Sequence, residues 1–114
     1  MPRSYVPDRG DVVWLEFDKT SGHEQLGRRP GIVLSPLSYN ARVGLAVVCP
    51  ITSRIKGYPF EVVLPSGLPI EGAVLADQPR SVDWASRSAE RVCPLPKHVV
   101  DEVIAKLTAL LHQG

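Results

Sequence analysis

The chain has little of several features that assign a protein to a class at first sight. Its two cysteines, Cys49 and Cys93, are too few and too irregularly placed for a disulfide framework or a zinc site, so buried free thiols are expected. No apolar run approaches the roughly 20 residues that a membrane helix needs. Residues 1–8 lack the apolar centre of a signal peptide. These features predict a cytoplasmic protein that does not contact a membrane.

The chain also has almost no surplus of positive over negative charge. There are 13 Lys and Arg residues against 12 Asp and Glu residues, which gives a formal net charge of +1. Proteins that bind nucleic acids usually carry surplus cations, because neutralised phosphates supply much of the affinity. A nucleic-acid-binding function therefore requires the cations to lie on one face, and scattered solvated charges fit the composition equally well. Many cations do fall in or beside turn segments: Arg28, Arg29, Arg42, Arg54, Lys56, Arg80 and Arg87.

The sequence shows no pattern of metal ligands. Asp77 and Asp83 are isolated, and His23, His98 and His112 are far apart with no His-x-x-x-His pair. A metal-dependent nuclease is therefore disfavoured, and we expect no metal and no other cofactor. A mechanism with two histidines as acid and base is also poorly supported, because only His23 lies in a candidate site loop.

The chain does have a series of short strand-like runs separated by turns. With 114 residues, 44% of them hydrophobic and 22% charged, it is expected to form a single domain over residues 1–114. Strands are expected at 11–17, 30–35, 44–52, 59–64, 72–78 and 89–93. Most of the 11 prolines fall between these runs, which suits a many-stranded sheet better than a helical bundle.

The C-terminal segment differs from the rest of the chain. Residues 97–112 contain no Gly or Pro, and apolar residues recur at helical spacing at Val99, Val103, Leu107 and Leu110 or Leu111. Together with the strands, this pattern predicts a mainly β fold of the α+β type. We expect a small, strongly bent antiparallel sheet or barrel closed by a C-terminal helix.

Two polar segments carry the candidate chemistry. In residues 22–30 a Gly-flanked loop places Glu24 before Arg28, Arg29 and the start of a strand. The second segment begins at a strand end and holds Thr52, Ser53, Arg54 and Lys56. Without a metal-activated water, phosphodiester cleavage is easiest when the substrate brings its own nucleophile, as RNA does with its 2′-hydroxyl. If the chain is a nuclease, these segments therefore indicate an RNA substrate.

Physical chemistry gives three of these residues roles. Arg29, fixed by Pro30, can meet two phosphate oxygens with its planar guanidinium as negative charge builds on them. Glu24 is a better proton acceptor than an arginine if a closed loop partly desolvates it. Thr52 can donate a hydrogen bond to the phosphate or to the leaving oxygen.

Each role has a structural alternative. Glu24 is equally compatible with a solvated loop acid, the Arg28–Arg29 pair with a surface pair, and Thr52 with a turn hydroxyl. Among the aromatic residues, Trp14 and Trp84 are expected in the core. Phe17 is a better candidate for stacking on a base, although the core is its commoner place.

Five blocks in the same order resemble the MazF/PemK family of type II toxins over nearly the whole chain. They are Tyr5-Val6-Pro7-Asp8-x-Gly10-Asp11; Gly22-x-Glu24-Gln25-x-Gly27-x-Arg29-Pro30; Leu34-Ser35-Pro36 with Tyr39-Asn40; Thr52-x-x-x-Lys56-Gly57-Tyr58-Pro59-Phe60-Glu61-Val62-Val63-Leu64; and Leu75-Ala76-Asp77-Gln78 with Arg80-Ser81 and Trp84. The chain departs from the family pattern at Arg28, a second cation beside Arg29, and at Ile70-Glu71-Gly72-Ala73. No recognised RNA sequence is therefore carried over.

The resemblance implies an SH3-like barrel with a C-terminal helix, acting as a homodimer whose groove binds single-stranded RNA. It implies an endoribonuclease that cuts mRNA at short specific sequences without metal and leaves 2′,3′-cyclic phosphate and 5′-hydroxyl ends, so inhibiting translation and growth. It also implies a MazE-like antitoxin whose acidic, hydrophobic tail blocks the groove, with promoter DNA bound only through the antitoxin complex.

The same resemblance places the family's catalytic arginine and threonine on Arg29 and Thr52, and its functionally important loop glutamate on Glu24. Around these three catalytic candidates we predict a set of RNA-binding residues from the matching segments. The set is Phe17, His23, Gln25, Arg28, Asn40, Ser53, Arg54, Lys56, Gln78 and Arg80.

Two alternatives share the expected fold. CcdB-like toxins resemble this barrel but bind DNA gyrase without catalysis, through a tryptophan near the end of the last helix. Here the chain ends in Leu110-Leu111-His112-Gln113-Gly114, which contains no aromatic residue. The other alternative is a barrel that only binds a peptide or RNA, in which a change at Thr52 would have no effect.

Overall fold

The computed structural model describes residues 5–16 and 28–113. In this part of the chain, seven strands and two helices follow one another: β1 (Asp11–Glu16), β2 (Arg28–Val33), α1 (Leu37–Val43), β3 (Ala46–Thr52), β4 (Glu61–Val63), β5 (Ala73–Leu75), β6 (Arg80–Val82), β7 (Glu90–Pro94) and α2 (Lys97–Leu111). Neither of the two helices is long and apolar enough to cross a membrane.

The strands form one bent antiparallel sheet in the order β4-β5-β3-β2-β1-β7. The bend is centred on β3, because its two halves pair with different strands along one edge. Ala46 to Val48 pair with β6, whereas Ile51 and Thr52 pair with β5. Among the described strands no pairing joins β4 to β7, so this sheet stays open. The expected bent sheet with a C-terminal helix is confirmed.

The hydrophobic core occupies both faces of the sheet. Alternate residues of a strand point to opposite faces, and accordingly Val12 belongs to one buried cluster while Val13 and Leu15 belong to the other. Helix α2 covers the first face with Val99 and Val103. The expected helix over residues 97–112 is thus confirmed and ends one residue earlier, at Leu111.

The two cysteines are buried and free, as expected. Burial raises the pKa of the Cys49 thiol to about 12, and a thiol of that pKa stays protonated at neutral pH. Cys49 is therefore part of the core and supplies no nucleophile.

Helix α1 was not expected, because Ser38, Tyr39 and Asn40 have the composition of a turn. The segment forms two turns of helix that begin after Pro36 and end at Gly44, which takes a left-handed φ of 83°. Asn40 explains why the helix is stable there. Its side chain is fully buried, donates hydrogen bonds to the carbonyl oxygens of Pro7 and Ser35, and accepts one from the Ser35 hydroxyl.

The predicted RNA contact of Asn40 does not fit this placement. Every polar atom of its side chain already has a partner inside the protein, and none of its surface is exposed. Asn40 therefore joins the N-terminal segment to α1, and we leave it out of the proposed RNA-binding set.

Candidate functional site

The strand register brings Arg29 and Thr52 together although they are far apart in sequence. In the β2–β3 pair, Gly31 lies opposite Pro50. Continuing that antiparallel register by two residues places Arg29 opposite Thr52, at the edge of the sheet where β2 begins and β3 ends. On its other side Arg29 is paired with Leu15 of β1, which fixes its backbone at this edge.

A groove of about 650 Å³ opens at this edge, and we call it the strand-end groove. Three arginines and one carboxylate contribute to its wall, so the cations are gathered as binding to a polyanion requires. Its lining residues are Trp14, Arg28, Arg29, Pro30, Ile51, Thr52, Ser53, Arg54, Ile70 and Glu71.

The two neighbouring arginines differ in the contacts of their side chains. Arg28 Nη2 lies 2.7 Å from Glu90 Oε1, and Arg28 Nη1 donates to the carbonyl oxygen of Ser88 at 3.3 Å. The ion pair is partly exposed and is therefore worth only about 0–1 kcal/mol. The side chain of Arg29 has no hydrogen-bond or ion-pair partner among the described residues. Its guanidinium is available to a ligand in the groove.

The Thr52 hydroxyl has a defined orientation. Its oxygen accepts a hydrogen bond of 3.1 Å from the backbone N–H of Arg54. Because a hydroxyl carries one donor as well as its acceptor lone pairs, this contact leaves the Thr52 proton free to be donated. The turn after β3 therefore presents a donor toward the strand-end groove.

A smaller pocket of about 190 Å³ adjoins Thr52, and we call it the side pocket. Thr52 and Arg54 line both the side pocket and the strand-end groove. The remaining lining residues combine aromatic rings with polar groups: Lys56, Tyr58, Phe60, Glu61, Leu75, Asp77 and Gln78. Such a mixture can stack on a base and hydrogen-bond to its edge.

The loop that forms one wall of the side pocket is held by Glu61. The Glu61 carboxylate accepts hydrogen bonds from the backbone N–H groups of Lys56 and Gly57. Within this loop the Lys56 ammonium lies 5.9 Å from the centre of the Tyr58 ring. Lys56 and Tyr58 are therefore positioned by local contacts with the backbone and with each other.

The predicted site residues fall into three groups. Seven of them line the strand-end groove, the side pocket or both: Arg28, Arg29, Thr52, Ser53, Arg54, Lys56 and Gln78. Asn40 is buried elsewhere, and Arg80 lies on β6 opposite Val48 and lines neither cavity. Phe17, His23, Glu24 and Gln25 lie outside the described residues.

Trp14 and Glu71 are among the groove residues that sequence reasoning missed. Trp14 was expected in the core, but it is only partly buried and lies opposite Pro30 in the sheet. Glu71 was noted only as a departure from the family pattern. Trp14 reaches this edge through strand register, and Glu71 through the segment that leads into β5 beside Thr52. The sequence pattern specifies neither placement.

The described residues contain no group of three or more His, Cys, Asp or Glu side chains that could hold a metal ion.

The bent sheet with its C-terminal helix is shared with a class of proteins of known structure. The structure resembles MazF from Deinococcus radiodurans, with a TM-score of 0.88 and 55% identity over 96% of this chain and 100% of that chain. It also resembles a chain of the MazE–MazF complex from D. radiodurans, with a TM-score of 0.85 and 51% identity over 97% of this chain and 100% of that one.

Sequence comparisons agree. The sequence model of the PemK-like, MazF-like toxin of type II toxin–antitoxin systems matches residues 8–111. The endoribonuclease toxin MazF of Escherichia coli K12 is 44% identical over 111 residues, which cover 97% of this chain and 99% of that protein. The chain therefore belongs to the PemK/MazF-like toxin family. This membership does not favour the CcdB-like alternative.

Proposed function

We propose that the chain is the toxin of a type II toxin–antitoxin system and acts as a sequence-specific endoribonuclease on single-stranded mRNA. Cleavage of mRNA would inhibit translation and growth. The observation that carries the proposal is that the Arg29 guanidinium, which has no partner among the described residues, and the oriented Thr52 hydroxyl line the same groove. The E. coli relatives named endoribonuclease MazF and endoribonuclease PemK, which are 44% and 36% identical to this chain, support it.

The proposed reaction uses the substrate's own nucleophile and needs no metal-activated water. The 2′-oxygen of the ribose attacks the adjacent phosphorus, a 2′-O–P bond forms, and the P–O5′ bond breaks. The products are a 2′,3′-cyclic phosphate and a 5′-hydroxyl. The proton of the 2′-hydroxyl passes to a base, and the departing 5′-oxygen takes up a proton.

Arg29 and Thr52 have complementary roles in this reaction. The Arg29 guanidinium stabilises the negative charge that develops on the phosphate oxygens, and Thr52 donates a hydrogen bond to the phosphate or to the leaving oxygen. Glu24 lies outside the described residues and is proposed as the proton acceptor from the sequence and the family resemblance.

The remaining candidates are proposed to bind the strand. Ser53 and Arg54 line the strand-end groove, where they can contact phosphates, and Arg28 lies at the border of this groove. Lys56 and Gln78 line the side pocket. The aromatic rings of Tyr58 and Phe60 are suitable for a base placed next to the cleaved phosphate. Phe17, His23, Gln25 and Arg80 keep their predicted RNA-binding roles on sequence grounds.

Two protein partners follow from the family. D. radiodurans MazF occurs in complexes with MazE, and we propose that a MazE-like antitoxin covers the cationic strand-end groove with an acidic segment. Promoter DNA would be bound only through that complex.

We also propose a homodimer. The surface that supports it is a mainly apolar groove of about 610 Å³ between α1 and α2, lined by Arg9, Leu34, Ser35, Pro36, Tyr39, Val47, Ile104 and Leu107. Next to it on α1, Leu37 and Val43 expose nearly half of their surface. A second copy of the chain is the occupant we propose, because apolar side chains so exposed on one short helix gain free energy when a partner covers them.

The test is incubation of the folded, antitoxin-free protein with a long single-stranded RNA in excess chelator, followed by mapping of cut sites and end chemistry. We expect cuts at one short sequence with cyclic phosphate ends. The Arg29→Ala variant should abolish the cuts while remaining folded, and Lys97→Ala, an exposed cation on α2, should not change them. Intact RNA with the wild-type protein would contradict the proposal, and normal cleavage by Arg29→Ala would remove the role of Arg29.

A further inference from the structure

A second groove continues the strand-end groove across the sheet. It has a volume of about 570 Å³ and is lined by Trp14, Arg28, Glu90, Arg91 and Val92, and we call it the β7 groove. Trp14 and Arg28 line both grooves. The two cavities are therefore neighbours that share these two side chains as their common wall.

The register of three strands shows how the grooves are aligned. Trp14 on β1 lies opposite Pro30 on β2 and opposite Glu90 on β7. Pro30, Trp14 and Glu90 thus form one row across the strands, which runs from the strand-end groove into the β7 groove. A strand of RNA that leaves the Arg29–Thr52 edge along this row passes over the partly buried indole of Trp14.

The Arg28–Glu90 ion pair lies beside this row. Glu90 is held by Arg28 alone among the described residues, and 72% of its side chain is exposed. The second Arg28 contact, to the carbonyl oxygen of Ser88, is at 3.3 Å and does not involve Glu90. A phosphate can therefore take the place of the Glu90 carboxylate on Arg28 while the contact with Ser88 keeps the guanidinium in position.

We propose that the β7 groove is a second RNA subsite in which a phosphate next to the cleaved one displaces Glu90 from Arg28, while its base packs on Trp14 and Val92. This inference rests on the proposed ribonuclease function and adds to it a subsite outside the strand-end groove. Glu90 acts as an internal competitor: its carboxylate occupies Arg28 in the free protein and weakens binding of strands long enough to reach the subsite.

The experiment measures binding of RNA oligonucleotides centred on the mapped cut site, with a 2′-deoxy nucleotide at that site so that the nucleophile is missing and the strand stays intact. The oligonucleotides are lengthened one nucleotide at a time, in one series at the 5′ side and in another at the 3′ side. For the wild-type protein we expect a step in affinity at one length in one of the two series, where the strand reaches the β7 groove.

Glu90→Gln and Arg28→Ala should change the size of that affinity step in opposite directions. Glu90→Gln should tighten binding of the longer strands by about two- to fivefold, because it removes a competitor of the strength of an exposed ion pair, and should leave shorter strands unchanged. Arg28→Ala should remove the step and reduce the slope of log K against log salt for the longer strands by about 0.7, the value for one phosphate contact with a single strand. Glu102→Gln, an exposed acid on α2, is the matched control for Glu90 and should have no effect.

Two results would contradict the proposal of an RNA subsite in the β7 groove. One is equal tightening of short and long strands by Glu90→Gln, which would indicate a general effect of charge. The other is an unchanged step and salt slope in Arg28→Ala. Failure of the ribonuclease proposal is separate, because the wild-type protein would then leave the all-ribose form of the longest strand uncut.

Discussion

Gly72 lies directly against the backbone of Thr52, so close that a β-carbon on Gly72 would overlap the Thr52 carbonyl oxygen. The φ angle of Gly72 is 135°, a value that side chains with a β-carbon rarely adopt. Ala73, the next residue, pairs with Thr52 in the β3–β5 ladder. The proposed catalytic hydroxyl is therefore positioned by a neighbour that has no side chain.

Gly72→Ala should displace Thr52 and reduce cleavage. A misplacement of the order of 1 Å can cost on the order of 10²-fold in rate, and the strained backbone should lower the free energy of unfolding by about 1–3 kcal/mol. The measurement is single-turnover cleavage per folded molecule together with urea denaturation.

Gly67→Ala is the matched control for this change. Gly67 also has a positive φ, of 92°, but nothing lies within 4 Å of a β-carbon built there. The Gly67→Ala variant should have a lower free energy of unfolding but an unchanged cleavage rate. Equal losses of cleavage in both variants would show that the contact between Gly72 and Thr52 does not matter for the reaction.

Thr52→Val should reduce cleavage while RNA binding is retained, because it removes the hydroxyl and keeps the shape of the side chain. Loss of one such donor costs on the order of 10²-fold in kcat. Thr52→Ser keeps a hydroxyl that can accept the Arg54 N–H and should recover most of the activity. Cleavage rates and the affinity for a 2′-deoxy strand are measured side by side.

The outcome at Thr52 also separates catalysis from binding. A loss of affinity as large as the loss of cleavage would make Thr52 a binding residue. Unchanged behaviour of Thr52→Val would favour the barrel that only binds its ligand.

Asn40→Ala should destabilise the fold but leave RNA cleavage by the folded protein unchanged. It removes three hydrogen bonds and leaves the buried carbonyl oxygens of Pro7 and Ser35 without their donor. Buried polar groups left without a partner cost roughly 1–3 kcal/mol each. Urea denaturation should show this loss, whereas Ser38→Ala on the exposed side of α1 should not. A loss of RNA affinity in folded Asn40→Ala would restore the RNA contact predicted from the sequence.

Tyr39→Asp should disrupt the proposed homodimer. Tyr39 is 38% exposed and lines the apolar groove between α1 and α2, where a second copy would bury the new charge at a large cost. Light scattering at micromolar concentration should give the dimer mass for the wild type and the monomer mass for the variant. Val63→Asp, at a 57% exposed position on β4, is the control. A wild-type monomer at that concentration would count against the dimer.

The sequence predicted the parts of the molecule that depend on local pattern. The C-terminal helix, the bent antiparallel sheet and the buried cysteines were predicted from spacing, proline placement and composition, and all are confirmed. Two short elements, α1 and β6, were not predicted. Helix α1 has seven residues and begins with a turn-like composition, and β6 has three residues, two of which are exposed. Segments this short are set by tertiary contacts, as the buried network of Asn40 shows.

At the site, residue types could be predicted but their surroundings could not. The resemblance pointed to Arg29 and Thr52, and the structure brings both into the wall of one groove. Arg28 differs from Arg29 because it forms an ion pair with Glu90, which lies on β7. The role of Gly72 likewise depends on where β5 meets β3. Long-range pairing of this kind leaves no local pattern in the sequence.

The end of β3 at Thr52 separates the candidate site into a part on strands and a part on loops. Arg29 and Thr52 belong to paired strands, whereas most of the side pocket comes from the loop after Thr52 and the turn after β5. Under the proposed function, substitutions in those connections would change which bases fit without disturbing Arg29 and Thr52. A lineage of such toxins would then acquire new targets by small steps, each of which leaves a working enzyme for selection to act on.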